Sequence, residues 1–382
     1  MSDLPTPPTE ALAHSEKLAA LIRGEIAAND GWISFARYME LALYAPGLGY
    51  YAAGARKLGR DGDFITAPEM TPLYGQALAR QAAQVLESGF DQILEIGAGS
   101  GALAAALLLE LERMERLPIN YYILEVSPDL RERERDLLAL QAPHLLERVI
   151  WLNRLPTLYQ GLIIVNEVLD AMPVHMVRAG ASGMEEAGVA LNGETFAWAF
   201  RPAAGELLAA AVALRLPPGY QTEIQLVARG FLGSLAQSMT RGVILLIDYG
   251  FPAHEYYHPE RSQGTLMCHY RHRAHADPFY LPGLQDITSH VDFSALARAA
   301  GEAGLELKGY AGQAQFLINC GITDILLRTP PENTAAYLPQ AAAAQQLLSP
   351  SEMGELFKAI AFGKDYAAPL MGFAAGDRRA SL

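Results

Sequence analysis

The chain has 382 residues, 51% hydrophobic and 19% charged, a globular composition and too long for one small domain. Its formal net charge is −13, so no nucleic-acid-binding basic face is expected. Two cysteines, Cys268 and Cys320, point to a reducing compartment rather than a disulfide scaffold. The opening MSDLPTPPTE has neither the basic start nor the apolar core of a secretion signal. Apolar runs such as 102–109 end in charge well short of a membrane span, so a cytoplasmic protein without membrane insertion is expected.

Residues 10–29 carry apolar side chains at helical spacing, and FARYMELALYAPGLGYY follows as a short helix closed by a Pro-Gly turn. The Gly-rich stretch GARKLGRDGDFITAPE leads to a helix over 71–87. From there the pattern alternates: strand 92–97 (QILEIG), helix 100–114, strand 121–127 (YYILEVS), helix 128–141 opened by Pro128, and strands 148–152 (RVIWL) and 161–167 (GLIIVNE). That rhythm predicts a parallel sheet with helices on both faces. Residues 175–240 break it with three short antiparallel strands, then a Pro-Pro-Gly turn and a helix. RGVILLIDYG (241–250) returns as an apolar strand, and 292–304 reads as the helix after it. LELKGY and QAQFLI read as a closing antiparallel pair, and the last 60 residues as mostly helical. The expected division is an N-terminal helical lid segment 1–75, a core of 76–175 and 241–320, an insertion 176–240 and a C-terminal helical segment 321–382.

The segment Leu94-Glu95-Ile96-Gly97-Ala98-Gly99-Ser100-Gly101 lies between a strand and a helix, where glycines let the backbone approach a ligand at a helix N-terminus. GAGSGA also satisfies the dinucleotide fingerprint, and Glu125 at the end of the next strand would grip ribose hydroxyls for either cofactor. Three features favour S-adenosylmethionine over NAD: the acid Glu95 inside the first strand, about 90 residues before the loop, and the polar tip Asn166-Glu167 on the fourth strand. Glu167 and Asp170 form a carboxylate pair that can hold a guanidinium, with helix capping as the plainer reading of Asp170. Phe64 and Thr66, in GDFITAPE, can fold over the methionine end of the cofactor, or simply form a loop and cap. His290, in PGLQDITSHVDF, is a candidate pocket residue, with Asp292 as a plausible cap.

His254-Glu255-Tyr256-Tyr257-His258 fits the H-E-x-x-H pattern of zinc hydrolases, which needs a helix to put both histidines on one face. Pro252 and Pro259 bracket it soon after the strand ending at Gly250, leaving no room for such a helix, so the segment is read as a polar loop and no metal is expected.

Taken in order, FARYMELALYAPGLGYY, GDFITAPE, LEIGAGSG, NEVLDAMPVH, IDYG, GTLMCHYRHRAHADPF, PGLQDITSHVDF and MGELFKAIAFG resemble the MidA-like S-adenosylmethionine-dependent methyltransferases, whose mitochondrial members are complex I assembly factors that methylate arginine. The resemblance implies an α/β class I methyltransferase fold: a Rossmann-like core, an N-terminal helical segment and an inserted α+β substrate-covering subdomain. It implies S-adenosyl-L-methionine as cofactor, with Gly97, Gly99 and Gly101 as its loop and Glu125 as its ribose acid. It also implies methyl transfer to an arginine of a protein, namely a complex I (NADH dehydrogenase) subunit, with Glu167 polarising the guanidinium and Asp170 or His290 taking the proton. The family often has Pro where this chain has Ala98, and the mitochondrial members tend to have His in place of Asn166. With no mitochondrial leader in view, a bacterial cytoplasmic member is expected, and a homodimer is left open. The competing expectations are a cofactor-binding assembly chaperone without essential catalysis and a small-molecule methyltransferase.

Overall fold

A computed structural model describes residues 4–53 and 66–382. The chain packs as two compact units: one gathers 65–168, 231–252 and 293–382, the other 1–64, 169–230 and 253–292.

The first unit is built on one sheet. Its strands run in the order Val149–Leu152, Asn120–Leu124, Gln92–Ile96, Tyr159–Asn166, Met239–Phe251, Phe357–Lys364, Glu306–Gly312. The first five are parallel to one another, and Phe357–Lys364 runs antiparallel to both its neighbours. Residues 162–165 and 243–248 are buried without interruption, as expected of central strands covered on both faces. Helices Pro72–Glu87, Ala102–Arg113 and Pro128–Gln141 belong to this unit. Pro128 sits in the first turn of the last, after Ser127, whose hydroxyl accepts the Leu130 N–H. Strand order reverses between Gln92–Ile96 and Tyr159–Asn166, the switch point where open α/β sheets bind ligands. A reversed strand inserted before the last edge is the arrangement of the class I methyltransferase fold.

Two expectations are corrected here. QAQFLI is not a strand: Gln313–Asn319 is helical, and the antiparallel partner of Glu306–Gly312 is Phe357–Lys364. The C-terminal stretch therefore supplies a central strand with a fully buried run, Phe357–Gly363, and is not merely helical.

The second unit joins strands His175–Gly180, Gly183–Asn192, Thr195–Pro202 and Gln221–Ile224 to Ile33–Ser34, so the expected insertion shares a sheet with the N-terminal region. The helix expected only after the Pro-Pro-Gly turn is two helices, Gly205–Ala213 before it and Leu226–Ser238 after strand Gln221–Ile224. Phe35, Tyr38, Phe196, Trp198 and Phe279 stack with ring centroids 4.8–5.9 Å apart and anchor helix Phe35–Tyr44. Met267–Tyr270 pairs with Arg273–His275 and Asp286–Thr288 in a small second sheet. Among the described residues, no helix is long and apolar enough to cross a membrane.

Candidate functional site

Strand Gln92–Ile96 ends in three left-handed positions, Gly97 (φ 69°), Gly99 (φ 60°) and Gly101 (φ 83°), after which helix Ala102–Arg113 begins. The Gly97 N–H donates to the Leu124 carbonyl at 3.0 Å and the Gly101 N–H to that of Ala98 at 2.9 Å. A Cβ at Gly97 would come 2.8 Å from Val168 Cγ2, and one at Gly101 3.1 Å from the Glu134 Cα. The loop is thus pressed between the end of the fourth strand and helix Pro128–Gln141, and side chains are excluded on both flanks. The first backbone N–H groups of the following helix have no partners within the helix and can bind a ligand.

Three buried carboxyl groups surround this loop. Glu95 is 2% exposed and its Oε2 accepts from the Tyr121 hydroxyl at 2.7 Å. Burial, reinforced by the nearby Glu125 charge, raises it to about 7 despite that hydrogen bond. Glu125 follows strand Asn120–Leu124; its Oε1 accepts the Ser127 N–H at 2.8 Å. Burial raises it too, opposed by backbone donors and Arg131. Glu134 is fully buried: Oε2 accepts from the Trp151 indole at 2.7 Å, while Oε1 has no hydrogen-bond partner. Burial pushes it to about 9, so it is protonated at neutral pH.

The fourth strand ends in Asn166, whose Oδ1 accepts from the Tyr74 hydroxyl at 2.5 Å. Next comes Glu167, in the left-handed region at φ 53°. Its N–H donates to the Ile247 carbonyl at 2.9 Å, and its Oε1 accepts from Ala67 N–H and Asn166 Nδ2, both at 3.3 Å. Burial and the Glu167 and Asp248 charges push the Tyr74 phenol well above its usual value. Thr66 caps the short helix Ala67–Met70 reciprocally with Glu69. Phe64, expected beside it, lies outside the described residues.

Asp170 and His290 belong to the second unit. Asp170 caps no helix, because residues 167–174 form turns between two strands. It is buried, and its carbonyl accepts the Ser289 N–H at 2.9 Å, bringing it next to the His290 segment. The Tyr51 phenol, which donates to Asp286 Oδ1 at 3.0 Å, is pushed up by burial and by the Asp286 and Asp170 charges.

HEYYH holds only a four-residue helix, Ala253–Tyr256, which stops before His258, so its two histidines do not share a helical face. His258 instead caps the short turn Pro259–Arg261, its Nδ1 accepting the Glu260 N–H at 3.3 Å, and the tyrosines reach buried carboxylates. Tyr256 donates to Glu223 Oε2 at 3.0 Å, and Tyr257 to Asp292 Oδ2 at 2.8 Å.

Sequence reading missed Tyr74, Tyr121 and Glu134. Tyr74 and Tyr121 sit among apolar residues and read as ordinary core aromatics, and Glu134 lies within the charge run RERERD, which looks like a solvated face. No local signal distinguishes it from Glu132; only the packing of its helix does.

A family model of S-adenosyl-L-methionine-dependent methyltransferases matches residues 77–311. A solved Burkholderia thailandensis protein bound to S-adenosyl-homocysteine is 50% identical over the whole of both chains, with a TM-score of 0.97. The zebrafish (Danio rerio) mitochondrial protein arginine methyltransferase NDUFAF7 is 28% identical over 363 residues, covering 86% of this chain and 82% of its own. Its mouse (Mus musculus) counterpart is 29% identical over 368 residues, covering 86% and 80%.

Proposed function

Given that the chain belongs to the family of S-adenosyl-L-methionine-dependent methyltransferases, we propose that it methylates an arginine nitrogen of a protein, as the names of its animal relatives describe for them. A subunit of a respiratory NADH dehydrogenase is the proposed target. The bound cofactor supplies an electrophilic methyl on a sulfonium.

The loop fits such a cofactor. Its left-handed glycines keep side chains out of the cradle, the helix N-terminus offers free N–H groups, and Glu125 provides an acceptor suited to a vicinal diol. Gly97, Gly99, Gly101 and Glu125 would hold it, with Glu95 setting the loop from beneath and Thr66 and Asn166 beside the methionine end.

One observation carries the substrate reading: of nine described non-glycine residues with a positive φ, Glu167 is the one that directly follows the fourth strand of the sheet, beside its switch point. Such strain persists where surrounding contacts enforce it, and it gathers at functional sites. Here the Ile247 carbonyl, the Ala67 N–H and the Asn166 amide enforce it. A carboxylate so fixed, one residue past the fourth strand, suits a guanidinium. Glu167 would draw the positive charge toward the far nitrogens, leaving electron density on the attacking one. That nitrogen forms its bond to the methyl carbon as the carbon–sulfur bond breaks. Asp170 or His290 accepts the proton released from it.

The test supplies purified protein and methyl-labelled S-adenosylmethionine to an extract of cells lacking the chain. Label on arginine of a discrete protein, located by mass spectrometry, is the expected result. Glu167→Gln should lower the rate about 100-fold with S-adenosylhomocysteine binding unchanged. Label confined to small molecules would replace the protein substrate with a metabolite. No label, with full biological complementation by a cofactor-blind variant, would make the chain an assembly chaperone.

A further inference from the structure

His290 stands between the short strands Asp286–Thr288 and Val291–Asp292, and both of its peptide groups are held by side chains. Its N–H donates to Thr265 Oγ1 at 3.0 Å. Its carbonyl accepts from Gln225 Nε2 at 2.9 Å, and Gln225 Oε1 accepts the Asp292 N–H at 2.9 Å. One buried side-chain amide therefore spans residues 290–292.

The Thr265 hydroxyl is itself oriented. It donates to Glu223 Oε2 at 3.1 Å, which commits its proton and turns a lone pair toward the His290 N–H. Glu223 is 1% exposed, and its carboxylate also accepts the N–H groups of Thr265 at 2.8 Å and Leu266 at 3.0 Å and the Tyr256 hydroxyl. The turn before Thr265 must come close: a Cβ at Gly264, φ 78°, would lie 2.2 Å from Glu223 Oε1. Glu223 and Gln225 lie at the end of strand Gln221–Ile224 and just beyond it, so a single stretch of chain reaches both peptide groups of His290. Ser289, the residue before, is tied to the Asp170 carbonyl.

We propose that Glu223, acting through Thr265, and Gln225 are positioning residues that clamp the backbone on both sides of His290 and so fix the direction from which its imidazole works. The clamp rests on the reading of His290 as a proton acceptor. It also gives the HEYYH segment a purpose, since Tyr256 completes the shell of donors on Glu223.

Thr265→Val removes the hydroxyl at nearly constant shape, and Thr265→Ser restores it. Both are compared in the full chain: with S-adenosylhomocysteine bound, by hydrogen exchange of the His290 amide and the NMR titration of its imidazole; and with S-adenosylmethionine in its place, by the rate of methyl incorporation in the extract assay. Thr265→Val should speed exchange at His290 about tenfold, move the imidazole titration and lower the rate at saturating S-adenosylmethionine, with its KM unchanged. Thr265→Ser should reverse all of these, and Thr265→Val should add nothing to His290→Ala. Unchanged exchange and rate in Thr265→Val, while His290→Ala is impaired, would overturn the clamp. Faster exchange with His290→Ala as active as the native protein would remove His290 from the chemistry, and the positioning role with it.

Discussion

Glu134 and Glu223 are both buried glutamates, and the two units treat them in opposite ways. Four hydrogen bonds fill both oxygens of Glu223, three of them from the loop 265–266 that it organises. Glu134 has one indole donor and an oxygen with no partner, and burial keeps it protonated up to about pH 9. Depth alone does not decide how a buried carboxyl is satisfied; the number of donors aimed at it does. Near the glycine loop, where Glu95, Glu125 and Glu134 crowd together, withholding donors keeps part of that cluster neutral.

The same Glu→Gln change should therefore act in opposite directions at the two sites. At Glu223 it turns an amide NH2 against N–H or O–H donors, and the loss should be the larger effect, about 2–4 kcal/mol, read as a lower denaturant midpoint. At Glu134 it should stabilise, by roughly 1–3 kcal/mol at pH 8. The sign follows from linkage: between the unfolded value near 4.5 and the folded value of about 9, the folded chain holds a proton that the unfolded chain has lost, so stability falls as pH rises. Glu134→Gln removes that slope. Its gain in melting temperature should be near zero at pH 5 and grow toward pH 9; a gain independent of pH would break the comparison.

Tyr121→Phe takes the one side-chain donor from Glu95 and should make it resemble Glu134. Its carboxyl should titrate above about 7, and stability should drop by about 1 kcal/mol, measured by thermal melts across pH 6–9. The smallest effect is expected at Glu110, a buried glutamate handled a third way, by cations. Arg113 and Arg328 each bind it through two nitrogens and hold it below the usual carboxylate range. That stabilisation is present above the unfolded value and lost as pH falls through the folded one. With Arg328 still in place and Arg113 largely exposed, Arg113→Ala should cost about 0.5 kcal/mol at neutral pH, and less than that near pH 3.

The elements from Pro72 to Asn166 were legible because each repeats one local pattern: apolar runs for strands covered on both faces, amphipathic spacing for helices, Pro128 and the loop glycines as punctuation. The C-terminal region was not. The mixture of small and apolar residues in FKAIAFGK suits a helix or a strand equally, and only the register against Met239–Phe251 makes it a strand. Gln313–Asn319 erred the other way for the same reason. Within the site, the loop glycines, Glu95 and Glu125 could be named from their places relative to strand ends, whereas Thr265, Gln225 and Glu223 could not, since the contacts that unite them with His290 span up to 65 positions along the chain.

By itself the order of residues determined the alternating sheet, the glycine turn at its first strand and the acids that follow the strands, because period, punctuation and backbone freedom are local properties. Only the tertiary structure decided which of the buried carboxyl groups near the glycine loop stay protonated, that Glu167 is held in a left-handed backbone, and that the tyrosines of HEYYH are tied to buried carboxylates while its two histidines do not share a helical face. Each depends on desolvation and on hydrogen-bond donors brought from distant parts of the chain, and neither is written in any short stretch of sequence.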